Sequence, residues 1–129
     1  MRVASLSLAL LIAAPVAAQP TEWHSAPEYD VLMRPHAYEP SPIRLEAGQP
    51  VKLRFLNQGQ ATFSFSAGAF FRAARIRSGD AEAVVDGDLQ VAPGEQRVIA
   101  LVPAPGHYRA RSSNIAHRLL GMSVDIIVE

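Results

Sequence analysis

The chain has 129 residues, no cysteine, and 12 acidic and 12 basic residues, so its formal net charge is zero. This length fits one compact domain, and 49% hydrophobic with 19% charged residues is the composition of a globular rather than a disordered chain. The balanced charge argues against a nucleic-acid partner, and the lack of cysteine excludes disulfides, thiolate metal ligands and cysteine nucleophiles.

The amino-terminal residues have the pattern of a secretory signal peptide. Met1 and Arg2 precede an apolar run of about 12 residues, and Val16-Ala17-Ala18 places small residues at a cleavage site. A membrane anchor is the alternative, but the run is far shorter than the roughly 20 residues that span a bilayer. We therefore predict cleavage of residues 1–18, a soluble mature chain of residues 19–129 without a membrane span, and a periplasmic location.

Alternating apolar and polar residues predict short strands along most of the mature chain. They are expected at residues 29–33, 43–45, 51–55, 63–65, 89–91, 97–102, 108–112 and 123–128. Residues 67–76 instead carry Phe70, Phe71, Ala74 and Ile76 at near-helical spacing, which predicts one short helix. Several short strands separated by turn residues predict an all-β sandwich or barrel of Greek-key type.

A series of short motifs follows in a characteristic order from Tyr38 onwards. They are Tyr38-Glu39-Pro40-Ser41-Pro42-Ile43, Ala47-Gly48, Leu53-Arg54-Phe55-Leu56-Asn57, Ala92-Pro93-Gly94, Pro105-Gly106-His107-Tyr108 and His117-x4-Met122 before the last strand. In this order and spacing the chain resembles the cupredoxins, the family related to plastocyanin and azurin, and in particular the cupredoxin-like domain of the EfeO type. The resemblance covers roughly residues 29–129 and implies a Greek-key β-sandwich of cupredoxin type that holds copper at one end.

The resemblance also implies a set of copper ligands, of which this chain retains two. In typical cupredoxins a type 1 copper is held by two His, one Cys and a weakly bound Met. The loop motif Cys-x4-His-x4-Met falls on Ser112, His117 and Met122. The first His of the set, in Asn-x5-His, falls on Phe63 when counted from Asn57. His117 and Met122 are therefore the candidate metal ligands, and the ligand positions at Phe63 and Ser112 are lost.

Strand alternation gives an independent view of the two lost positions. Ser112 shares a strand face with Tyr108 and Ala110, and Phe63 shares one with Phe65. We therefore expect an aromatic ring and a hydroxyl to point inward and refill the pocket. A neutral hydroxyl is a poor copper ligand, so the sequence argues against blue-copper electron transfer.

Three amino-terminal residues are further candidate copper ligands. His24, Met33 and His36 would have to reach the end of the sandwich that carries His117, or form a site of their own. For each of them alone, the competing interpretation is a solvated His or a core Met.

No catalytic constellation is visible in the sequence. Ser112 and His117 lie on one loop without an orienting acid, which does not make a triad, so we expect no enzyme activity. The sequence predicts a periplasmic cupredoxin-like binding protein without a functional type 1 copper site, acting as a module for a protein partner or a metal in copper or iron handling. The alternatives are a weak copper carrier that uses His117 and Met122 with the amino-terminal His and Met residues and, third, an electron-transfer copper protein.

Overall fold

Two β-sheets packed face to face make up residues 22–129, the part of the chain that the computed structural model describes. The predicted signal peptide, residues 1–18, lies outside this range. The strands in chain order are Glu28–Arg34 (β1), Ala37–Glu39 (β2), Ile43–Leu45 (β3), Val51–Asn57 (β4), Phe63–Ser66 (β5), Arg75–Ile76 (β6), Val84–Val85 (β7), Asp88–Val91 (β8), Gln96–Val102 (β9), Gly106–Arg111 (β10) and Ser123–Val128 (β11). Gly68–Ala73 (α1) and Ile115–Leu119 (α2) are α-helical, and Ala81–Ala83 forms a single 3₁₀ turn. Neither helix has the length and apolar character needed to cross a membrane.

The connections between strands are those of a Greek-key sandwich. The first sheet has the order β2-β1-β4-β9-β6 and the second the order β3-β11-β10-β5-β8-β7. The pairs β1–β4 and β3–β11 are parallel, and all other neighbours are antiparallel. Because most neighbours are not consecutive in the chain, the strands cross between the sheets. The expected all-β sandwich of cupredoxin type is confirmed.

Alternation along the longer strands builds the core. In β4 the side chains of Val51, Leu53 and Phe55 are buried, while Arg54 faces outward and makes two hydrogen bonds of 2.8 Å to the carboxylate of Asp30 on β1. In β11 the same period buries Val124, Ile126 and Val128. The buried side chains of both sheets form one cluster, and removing this apolar surface from water is the main stabilising contribution to the fold.

The structure adds elements that the sequence pattern did not predict. The helix expected over residues 67–76 ends at Ala73, and Arg75–Ile76 forms an edge strand instead. A second short helix, α2, begins after Asn114, and its apolar residues Ile115 and Leu119 are exposed. It therefore has no buried face that periodicity would reveal. The unpredicted strands β2, β6 and β7 are edge strands of two or three residues, too short for alternation to be visible.

Candidate functional site

The candidate site lies at the end of the sandwich where β4 finishes and β5 begins. The buried side chain of Asn57, the last residue of β4, organises the connecting loop. Its Nδ2 donates to the carbonyls of Ala61 and Val91, both at 2.8 Å, and its Oδ1 accepts from the Gly59 amide at 2.8 Å. These bonds satisfy a buried amide and hold loop 58–62 in one conformation, so the start of β5 is placed accurately.

Phe63 occupies the position that the resemblance assigns to the first His. Its ring is buried, at 3% exposure, and packs edge-on against the His117 imidazole with ring centroids 5.4 Å apart. The ring also lies against Gly59, where a Cβ would approach two of its carbons to 2.5 Å. The phenyl ring therefore fits a space bounded by a glycine and an imidazole.

Ser112 occupies the position assigned to the Cys and is fully buried, as alternation predicted. Its hydroxyl forms a hydrogen bond of 3.2 Å with the hydroxyl of Ser64 and accepts one from the Asn114 amide at 3.1 Å. The Ser64 hydroxyl also accepts from the amide and the hydroxyl of Ser113, at 2.8 and 2.9 Å. The Ser112 oxygen thus belongs to a satisfied network of hydroxyl groups.

The loop after β10 carries both retained ligand types. The Asn114 side chain caps α2 by accepting from the amides of Ala116 and His117. The Met122 amide donates to the His117 carbonyl, and the Ser112 amide donates to the Met122 carbonyl, each at 3.1 Å. These backbone bonds hold His117, Met122 and Ser112 on one closed loop, with the Met122 side chain fully buried.

The imidazole of His117 is partly exposed, and one of its two ring nitrogens has no hydrogen-bond partner within the described residues. Its Nδ1 is buried and has no hydrogen-bond partner within residues 22–129. The ring is held by the contact with Phe63 and by the capped backbone of α2. It therefore has a fixed position but no protein partner for this nitrogen.

The structure separates the four histidines into two pairs. His36, in the turn between β1 and β2, lines an open cleft of about 290 Å³ together with Phe63 and His117. His24 lies before β1, at the opposite end of the sandwich, because the start of β1 pairs with the start of β4 and Met33 pairs with Asn57. His107, near the start of β10, is likewise separated from Ser112 by the length of that strand. A strand of this length spans about 20 Å, so only His36 joins His117.

Met33 lies at the same end but inside the core. Its side chain is fully buried, and its carbonyl accepts from the Gln58 amide at 2.9 Å. Met33 is therefore a core residue, as the competing interpretation of the sequence had it. Within the described range, no group of three or more His, Asp or Glu side chains is placed to hold a metal ion.

Sequence reasoning did not single out four residues around Ser112, namely Tyr38, Ser64, Asp88 and Ser113. Ser64 lies between Phe63 and Phe65 in the strand, so alternation would turn it outward, but it is buried because residues 112 and 113 cover it. Tyr38 donates its buried hydroxyl to the Ser64 carbonyl. Burial raises the pKa of Tyr38 above its usual range, and the negative charge of Asp88, which accepts from the Ser113 hydroxyl at 3.3 Å, raises it further. No local sequence pattern predicts this cluster, because its residues come from four separate segments of the chain.

Comparison with known proteins agrees with this fold. The family described as "Cupredoxin-like domain" matches residues 7–113. The chain is similar in structure to auracyanin B, with 21% identity, a TM-score of 0.58 and coverage of 81% of this chain and 89% of that one. Auracyanin A, a "blue" copper protein from the green thermophilic photosynthetic bacterium Chloroflexus aurantiacus, shows 17% identity, a TM-score of 0.57 and coverage of 81% and 100%.

Part of a multicopper oxidase is also similar in structure to this chain. The oxidase McoA from the hyperthermophile Aquifex aeolicus shares 15% identity at a TM-score of 0.60, over 85% of this chain and 31% of the oxidase. No curated protein matches the chain in sequence. At these identities the structural similarity concerns the fold alone.

Proposed function

The chain belongs to the cupredoxin-like domain family, and from that premise we propose that it is a binding domain without a functional type 1 copper site. The observation that carries the proposal is the packing of Phe63 against both Gly59 and His117. A phenyl ring has no lone pair to offer a metal, and this one is packed where an imidazole ligand is expected. The donor set of a type 1 site, two imidazoles, a thiolate and a thioether, is therefore reduced to His117 and Met122.

The Ser112 hydroxyl supports the same conclusion. Its oxygen already accepts from the Asn114 amide and is paired with the Ser64 hydroxyl. A copper ion would have to compete with these bonds for a neutral oxygen, whereas a thiolate would offer a negative charge and a soft donor. The residues present at this end of the sandwich do not fit a type 1 copper ion.

Binding of a protein partner is supported by the surface of α2. Ile115, Leu119 and Leu120 are 62%, 80% and 59% exposed, and they follow the Ser112 loop directly. Large apolar side chains clustered on a surface are typical of a contact with another protein. We propose that the domain is periplasmic, is not an enzyme, does not bind nucleic acid, and presents this surface to a periplasmic partner in copper or iron handling.

A weak copper carrier is the second candidate function. From the sequence, the predicted copper ligands of such a carrier are His117 and Met122 together with His24, Met33 or His36. The observation that favours it is that His36 and His117 line the same cleft. An electron-transfer copper protein comes third, because it requires the thiolate that this chain lacks.

The test is to add Cu(II) to the purified protein and to record its visible absorption and electron paramagnetic resonance spectra. We expect no intense copper–thiolate charge-transfer band, and any bound Cu(II) is expected to give the wide hyperfine splitting of oxygen and nitrogen ligands. An intense blue colour with narrow splitting would contradict the assignment of Phe63 and Ser112 to the ligand positions.

A further inference from the structure

The first residues of β9 form an open sheet edge. β9 pairs with β4 over residues 96–101, whereas β6 on its other side reaches only Leu101 and Val102. Within the part of the chain that the structure describes, no strand lies beside residues 96–98 on that side. This short stretch of main chain can therefore accept a further strand.

The hydrogen bonds of Ala100 show which main-chain groups face the open side. Its carbonyl accepts from the Arg77 amide at 2.8 Å, and its amide donates to Asp80 Oδ2 at 2.9 Å, so both groups point away from β4. In an antiparallel pair this direction alternates from one residue to the next, so the amides and carbonyls of Gln96 and Val98 point the same way. Arg77 and Asp80 close the edge at Ala100, and the groups of Gln96 and Val98 are offered to a partner.

A polar groove of about 480 Å³ adjoins this edge. Arg97 of β9 lines one side, and the other side is lined by the 3₁₀ turn, β7 and β8, including Glu82 and Asp88. Arg97 is exposed and makes no hydrogen bond or ion pair within residues 22–129. Its guanidinium is therefore available to a carboxylate from outside the domain.

We propose that residues 96–98 bind an extended segment of a partner protein as an added strand, with an acidic side chain of that segment paired with Arg97. Main-chain hydrogen bonds to Gln96 and Val98 supply the affinity, and the side chain opposite Arg97 supplies the specificity. Because the amide and carbonyl of Arg97 point toward β4, the residue opposite it takes a non-hydrogen-bonded position, where facing side chains are closest. This edge is separate from the apolar surface of α2, so the interaction goes beyond the proposed function.

The charges at the edge decide which occupant fits. Two copies of the chain related by a two-fold axis would pair their edges antiparallel and centred on Arg97, because the edge is closed at Ala100. That register places two Arg97 side chains directly opposite each other, which is unfavourable. The carboxylates of Glu82 and Asp88 across the groove disfavour a run of acidic residues. The segment that fits best therefore has one acidic residue between uncharged residues that favour strands.

The test uses two synthetic peptides with blocked termini, Thr-Val-Thr-Glu-Thr-Val-Thr and the same sequence with a central Lys. Each is titrated into the isotope-labelled protein and followed by NMR, which detects weak complexes. We expect the largest shifts at the amides of residues 96–98 and slower hydrogen exchange of the Val98 amide. The Glu peptide is expected to bind about fivefold more tightly than the Lys peptide, because an attractive cross-strand charge pair replaces a repulsive one.

Two variants and a matched control assign the binding to the edge. Arg97→Glu is expected to reverse the preference, so that the Lys peptide binds more tightly. Val98→Pro removes the outward-facing amide and is expected to weaken binding of both peptides, and proline is tolerated on an edge strand where the amide faces solvent. The control, Arg111→Glu, makes the same change of charge at an exposed position of β10, which has β11 and β5 on its two sides. It is expected to bind both peptides like the wild type.

Three outcomes of the titrations would overturn the inference: no shifts at residues 96–98 with either peptide, an unchanged preference in Arg97→Glu, or a reversed preference in Arg111→Glu. Shifts of the same amides that depend on protein concentration, without peptide, would overturn it as well, since they would show a second copy on the edge. Arg97 is exposed, so its substitution remains informative even if Val98→Pro fails to fold.

Discussion

The replacement of two ligand positions predicts that a coloured copper site is restored by the double substitution Phe63→His/Ser112→Cys. His117 and Met122 are already held with Ser112 on one hydrogen-bonded loop, and Phe63 already contacts the His117 ring. The new imidazole and thiol would therefore complete the set of four donors that type 1 copper requires. Ser112→Cys alone is expected to give weaker colour and weaker binding, because one imidazole is still missing.

The metal-free double variant is expected to be less stable than the wild type, and the loss can be worked out from the contacts that Phe63 and Ser112 make. Replacing the 3%-exposed Phe63 loses about 1.5–3 kcal/mol of apolar burial, and its ring contact with His117 adds about 0.5–1.5 kcal/mol. Replacing Ser112 weakens its hydrogen bonds with the Asn114 amide and with Ser64, at about 1 kcal/mol. The sum, about 3–5.5 kcal/mol, is a large part of the 5–15 kcal/mol that stabilises a typical domain.

Bound copper should restore most of the lost free energy of unfolding. An ion that binds only the folded state stabilises it by about 4 kcal/mol when the free concentration of the ion is about 1,000 times Kd. Denaturant unfolding with and without Cu(II), together with the visible absorption spectrum, measures both effects. The control is Phe63→His alone, which has no thiol and should remain colourless. A double variant that is folded but binds no copper would refute the reasoning, since it would show that the loop has lost the geometry of the site.

Two further predictions concern the packing and the buried hydroxyls around the site. Gly59→Ala should lower the free energy of unfolding by about 1–3 kcal/mol, because its Cβ would overlap the buried ring of Phe63. The control is Gly68→Ala, where the atoms nearest to the new Cβ belong to the flexible end of Arg72. It should show no such loss in the same denaturant experiment, and equal effects would contradict this account. Because the pKa of Tyr38 is raised in the folded state, its contribution to stability should be complete well below pH 10.0, the pKa of tyrosine in the unfolded chain, and should be lost progressively as the pH rises above that value. Unfolding measured from neutral to alkaline pH should show a smaller decline in Tyr38→Phe, and an identical decline would argue against burial as the cause.

Short-range regularities in the sequence determined the class of fold and part of the site. The period of two in residues 51–55 and 123–128 follows from strand geometry, so it predicted which side chains are buried without knowledge of the strand neighbours. It also placed Ser112 inward, since burial of that residue depends on the same period. The family spacing identified Phe63 as the residue in the first ligand position, and the structure shows its ring against His117.

Only the tertiary structure decided which distant segments meet. Whether His24 or His36 lies near His117 depends on the parallel pairing of β1 with β4, which brings the end of β1 beside Asn57, and no local pattern encodes that pairing. The burial of Ser64 has the same origin, since it is covered by a loop almost fifty residues away, against the alternation of its own strand. Alternation reports the two faces of one strand, whereas these contacts are made at strand ends, where loops from both sheets converge and local periodicity no longer applies.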